Sequence, residues 1–109
     1  MALNYKVLGQ NSPAANTIST LYTVPSSNSA VVSTMTICNQ SGANARVDIA
    51  VCPANTAVTT SQYIMKDCVV ASADTIFLTV GVTLSATDTI RVNANVANIS
   101  FNAFGSEIY

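Results

Sequence analysis

The chain has 109 residues, of which half are apolar, about a third are Ser, Thr or Asn, and only 8% are charged; there is no His, no Trp and a net charge of −1. High apolar content with so little charge is the reverse of a disordered composition, and Lys6, Arg46, Lys66 and Arg91 are too few for a basic nucleic-acid surface. No apolar run approaches the ~20 residues of a membrane-spanning helix, so neither nucleic acid nor membrane is an expected partner, and the length fits one domain with a modest core.

In chain order, residues 3–8 and 17–24 read as strands, the second stopped by Pro25, with a polar turn at 26–29. Residues 30–39 follow as a strand, with Val31, Met35 and Ile37 expected on one face and Thr34, Thr36 and Cys38 on the other. Residues 39–44 then read as a hairpin loop before Val47, Ile49 and Val51, which alternate with Arg46, Asp48 and Ala50. Residues 62–70 form another candidate. Residues 74–80 present Ile76, Leu78 and Val80, residues 87–94 present Ile90, Val92 and Ala94, and residues 98–104 present Ile99, Phe101 and Ala103. Alternation with period two, β-branched residues and turn signals at regular intervals predict an all-β, single-domain antiparallel β-sandwich or jelly roll over 1–109. About eight short strands and no helix beyond about two turns are expected. The echo Asp74-Thr75-Ile76 and Asp88-Thr89-Ile90 reads as two strands that begin alike after similar turns.

The first residues lack a basic stretch followed by an apolar one, so synthesis and retention in a cytosol is the expectation. Cys38, Cys52 and Cys68 are an odd number, which leaves at least one thiol free. A hairpin at 39–44 sets Cys38 and Cys52 several pairs apart, too far for a bridge, and the cysteines read as small apolar residues. The sequons at Asn39 and Asn98 read as chance.

No catalytic constellation stands out. Without His, acid–base chemistry falls to carboxylates, and Asp67, Asp74, Asp88 and Glu107 sit beside turns or at the chain end, where they read as turn acceptors. A Ser61–Lys66 pair has no orienting motif around it. Gly9, Gly42, Gly81 and Gly105 form no phosphate loop, and the cysteine spacing is not that of a zinc site. The expectation is no enzyme, no cofactor and no metal.

Outer strand faces rich in Thr, Ser and Asn lack the charge that usually guards sheet edges, so symmetric partners are expected to cover them. Candidate interface residues are Phe104, which faces away from Phe101, and the apolar terminal pair Ile108 and Tyr109. Removing residues 106–109 is expected to weaken assembly and leave the β-fold intact.

Several segments carry a family resemblance: Leu21-Tyr22-Thr23-Val24-Pro25, Ala30-Val31-Val32-Ser33-Thr34, Ile37-Cys38-Asn39, Asp48-Ile49-Ala50-Val51-Cys52-Pro53, residues 81–92, and Phe104-Gly105-Ser106-Glu107. Over nearly its whole length the chain resembles small β-rich structural proteins of tailed bacteriophages. The resemblance implies a virion structural protein assembled in the host cytoplasm, either a capsid decoration (cement) protein or a neck, tail, baseplate or fibre component with a carbohydrate- or receptor-binding role. Its implied partners are further copies of itself, as a homo-oligomer for which the resemblance implies a trimer, and the major capsid protein or another virion protein.

Overall fold

The computed structural model describes residues 2–109. Among them the regular elements are eight strands: β1 (Leu3–Asn11), β2 (Ser19–Thr23), β3 (Ser29–Asn39), β4 (Ala45–Cys52), β5 (Tyr63–Val70), β6 (Thr75–Leu84), β7 (Thr89–Ala94) and β8 (Ile99–Ile108). Two single 3-10 turns, Pro53–Asn55 and Thr60–Gln62, interrupt the link between β4 and β5. The strands form two antiparallel four-stranded sheets, ordered β1-β8-β3-β6 in sheet I and β2-β7-β4-β5 in sheet II. Apart from the step from β4 to β5, each strand hands the chain to the opposite sheet. This is the two-sheet topology of a jelly roll.

The core lies between the sheets. Val47 and Ile49 of β4, Ile90, Val92 and Ala94 of β7, and Ile99, Phe101 and Ala103 of β8 are all buried there, as the period-two pattern requires. Ile76, Leu78 and Val80 pack against the same core but stay partly exposed because β6 is an edge strand.

Two expectations fail for identifiable reasons. Residues 39–44 are not a hairpin, since β3 lies in sheet I and β4 in sheet II. The buried Asn39 turns the chain across: its amide donates to Ala43 O and Val70 O, each at 2.9 Å, and its side-chain oxygen accepts the Ser41 N–H at 2.9 Å. The same burial takes that sequon out of reach. Cys38 and Cys52 therefore sit in different sheets, and all three cysteines are free.

Val31 does not face the core. The β3 register slips between Val32 and Thr34, so Ala30 and Val32 point inward before the slip and Met35 and Ile37 after it. A bulge resets the two-residue period, which the sequence does not announce. A second slip lies in β1 between Val7 and Gly9. Gly9 and Gly105 sit where a Cβ would lie 2.1 Å from Leu21 O and 2.0 Å from Val31 O, so close approach of backbones requires glycine at both positions.

The echoed segments do follow matching turns. The Asp74 N–H bonds Ala71 O and the Asp88 N–H bonds Ser85 O, both at 3.1 Å. The third residues, Ala73 and Thr87, have φ of 62° and 67°. Asp74 accepts the Thr75 N–H at 2.9 Å, and Asp88 accepts the N–H groups of Ser85 and Ala54, both at 2.8 Å. Both are turn acceptors, as expected.

Candidate functional site

The outer face of sheet II is charged and largely closed. Arg46, Asp48, Lys66, Asp67 and Arg91 belong to its strands, and the segment from Pro53 to Gln62 lies against it. Arg91 donates to Thr56 O at 2.8 Å and to the Asn55 side chain, which ties that segment down. Asp48, only 6% exposed, accepts the Asp67 N–H at 2.8 Å and the Asn93 amide at 3.1 Å, and meets Lys66 Nζ at 3.4 Å. Burial pushes its carboxyl up, but the Asp67 N–H, Asn93 and the Lys66 ammonium together outweigh that and hold it below its usual range. The Asp48 carboxylate in turn raises Lys66. The Lys66 ammonium also lies 5.0 Å from the Tyr63 ring centre. Ser61 is turned to Thr59 at 3.3 Å, and Lys66 is engaged with Asp48, so the two do not form a nucleophile–base pair. Asp48, Ala50, Val58 and Tyr63 line a crevice that is packed shut. Among the described residues no group of three or more His, Cys, Asp or Glu could hold a metal ion.

Glu107 departs from the reading of a turn acceptor at the chain end. It is 5% exposed and joins the two sheets. Tyr22 of sheet II donates its hydroxyl to Glu107 Oε2 at 2.6 Å, and Lys6 of β1 donates to Oε1 at 3.2 Å. The Tyr22 hydrogen bond, aided by Lys6 and opposed by burial, holds the Glu107 carboxyl below its usual range. Burial and the facing carboxylate push the Tyr22 hydroxyl well above its ordinary value. Deleting residues 106–109 would therefore break this clasp and the end of a strand paired on both sides, so the fold would not be spared.

The outer face of sheet I is different in kind. Directly paired residues of antiparallel strands share a face. One row is Leu3, Ile108 and Ser29; the next is Tyr5, Ser106, Val31 and Thr83. Beyond the bulges come Val7, Phe104, Thr34 and Thr79, then Gln10, Asn102, Thr36 and Phe77. No charged residue occurs in these rows. Tyr5 is 78% exposed and Phe77 72%. Between β1, β8 and β3 lies an open groove of about 620 Å³, lined by Tyr5, Lys6, Val7, Val31, Ser33, Phe104, Gly105 and Ser106, with Lys6 its one charged residue.

Two of the three candidate interface residues, Phe104 and Ile108, lie on this face and are half-buried. Tyr109, just beyond β8, is half-exposed, and its N–H bonds Ala2 O at 2.9 Å. The sequence reading missed Tyr5, Val7, Val31 and Phe77. Tyr5 and Val7 alternate with Lys6, which was the available signal; Val31 was assigned to the core because the bulge is silent.

Comparison with known proteins adds a fold and no family. No family model matches the chain, and no curated protein matches it. A solved structure, described as the crystal structure of the T13 IBDV viral particle, superimposes on 96% of this chain with a TM-score of 0.52. The two share a fold. Sequence identity is 10%, and this chain spans only 30% of the length of the viral chain.

Proposed function

We propose that this chain is a non-enzymatic virion structural protein, a capsid decoration (cement) protein that lies with the outer face of sheet I against the major capsid protein. The observation that carries the reading is that face: four rows of paired residues without a charge, with Tyr5, Val7, Val31, Phe104 and Ile108 presented together. A contiguous exposed apolar surface on a small protein marks an interaction site. A decoration protein acts by burying surface at many equivalent positions, which needs no reactive group. The jelly-roll topology fits, since viral capsid domains use it, although a fold alone does not fix a function. The resemblance to tailed-phage structural proteins points the same way, with assembly in the host cytoplasm.

A neck, tail, baseplate or fibre component would present a similar face to another virion protein, and its groove to a glycan or receptor. Copy number separates the two. Quantitative mass spectrometry of purified particles is expected to find this chain in numbers comparable to the coat subunit. A few copies per particle would assign it to the tail, and absence from particles would overturn the virion reading.

A further inference from the structure

The four edge strands of the sandwich are not equally protected. β2 is only five residues long. β1 carries a bulge and the inward-pointing Lys6, paired with Glu107. β5 carries Lys66 and Asp67, a positive φ of 53° at Asp67 and two register slips. Short strands, bulges and charges are the ordinary means of preventing edge-to-edge pairing. β6 has one of these, a register slip against β3 that leaves Val80 and Gly81 without ladder partners there, but it carries no charge and is not short. It is ten residues long, Thr-Ile-Phe-Leu-Thr-Val-Gly-Val-Thr-Leu, without charge or proline. Its ladder partner is β3 alone. Among the described residues no backbone group outside the sheets bonds to residues 76–84.

We infer that β6 is a homodimerisation edge, pairing antiparallel with β6 of a second copy about a two-fold axis through Thr79, so that the two copies of sheet I become one continuous sheet. The occupant follows from the sequence of the strand, which complements itself in this register. Thr79 meets Thr79, Thr75 meets Thr83, and Phe77 meets Gly81 on the outer face. On the core side Ile76 meets Val82 and Leu78 meets Val80. Apolar side chains thus meet apolar ones and threonines meet threonines, both favourable cross-strand combinations. Phe77, 72% exposed, lies over Gly81, where a Cβ would have nothing within 4 Å. An aromatic ring covering an edge glycine is a known way to fix strand register. No charge on β6 opposes its own image across the axis. Such an interface is isologous and closes with two copies, unlike the trimer implied by resemblance. It goes beyond the virion reading and does not depend on it.

The test is sedimentation of the full chain over a range of concentrations, with two variants. The wild type is expected to be in monomer–dimer equilibrium. T79K places like charges opposite each other on the axis and should weaken dimerisation on the order of tenfold or more. Because Thr79 is exposed, its melting temperature at low concentration and its circular dichroism should match the wild type. T79C should cross-link to a covalent dimer on mild oxidation, whereas the wild type, with Cys38, Cys52 and Cys68, should not. A wild type that stays monomeric at high micromolar concentration overturns the inference, as does a folded T79K that dimerises as tightly. Failure of T79C to cross-link above the wild-type background overturns the register. Particle composition is a separate readout, so failure here leaves the virion reading standing.

Discussion

The outer faces of the two sheets are built from opposite materials. Of four basic and five acidic residues in the chain, five belong to the strands of sheet II and two, Lys6 and Glu107, are turned into the clasp between sheets. Asp74 and Asp88 cap turns. Sheet II spends its charge on holding its own covering segment and bulge, through Arg91 and Asp48. The paired outer rows of sheet I are left uncharged and open, with Lys6 alone reaching the groove between them. A scarce charge complement has been assigned to structure on one side and withheld from the other. The lesson is that low total charge need not mean a uniformly bland surface.

The contrast is sharpest in the strand β4, where neighbouring residues face opposite ways. Ile49→Asp places an unpaired carboxylate in the core and should cost on the order of 4 kcal/mol or more, enough to unfold many small domains. Asp48→Ala leaves the Asp67 N–H and the Asn93 amide without their acceptor and should cost about 2 kcal/mol. Asp48→Asn keeps an acceptor and should cost less than either. Urea denaturation ranks all three, and equal losses for Ile49→Asp and Asp48→Asn would show that the faces are misassigned.

Acid and alkali should expose the clasp. Asp48 and Glu107 have lowered folded-state pKa values, so their contribution is present above the usual carboxylate range, near pH 4, and is lost as pH falls below it. Tyr22 is raised, so its contribution is present below about pH 10 and lost as pH rises above that. Stability should form a plateau between those limits. Glu107→Gln should lower the plateau and flatten both shoulders, which stability measured against pH will show.

The strands and most inward faces were legible because alternation in Val, Ile and Thr is a local signal. Val92 and Phe101 needed nothing more. What stayed hidden were breaks in that period and contacts distant in sequence. The bulge at Ser33 leaves no trace in composition, so Val31 was placed inside. The Tyr22–Glu107 bond spans 85 positions, and Asn39 looked like any loop residue until β3 and β4 were seen in different sheets. For the candidate face, Phe104 and Ile108 were readable from their phase relative to Phe101; its continuity with Tyr5 and Val7 depends on β1 pairing with β8, which only the topology supplies.

Smaller effects separate strain from function. Thr87 holds φ at 67°, which a β-branched residue tolerates poorly. Thr87→Gly should stabilise by about 0.5–1 kcal/mol, less the gain in unfolded-state freedom; a loss in thermal denaturation would mean that the hydroxyl or methyl makes a contact of greater value. The smallest stability change is expected on the face proposed to do the work. Tyr5→Ser should shift stability by no more than about 0.5 kcal/mol, yet reduce co-sedimentation with particles.

The most direct test is hydroxyl-radical footprinting of the protein free and bound to particles. The account predicts that Tyr5 and Phe104 on sheet I become protected on binding while Tyr63 on sheet II is labelled as before. Protection of Tyr63 with Tyr5 and Phe104 unchanged would contradict it.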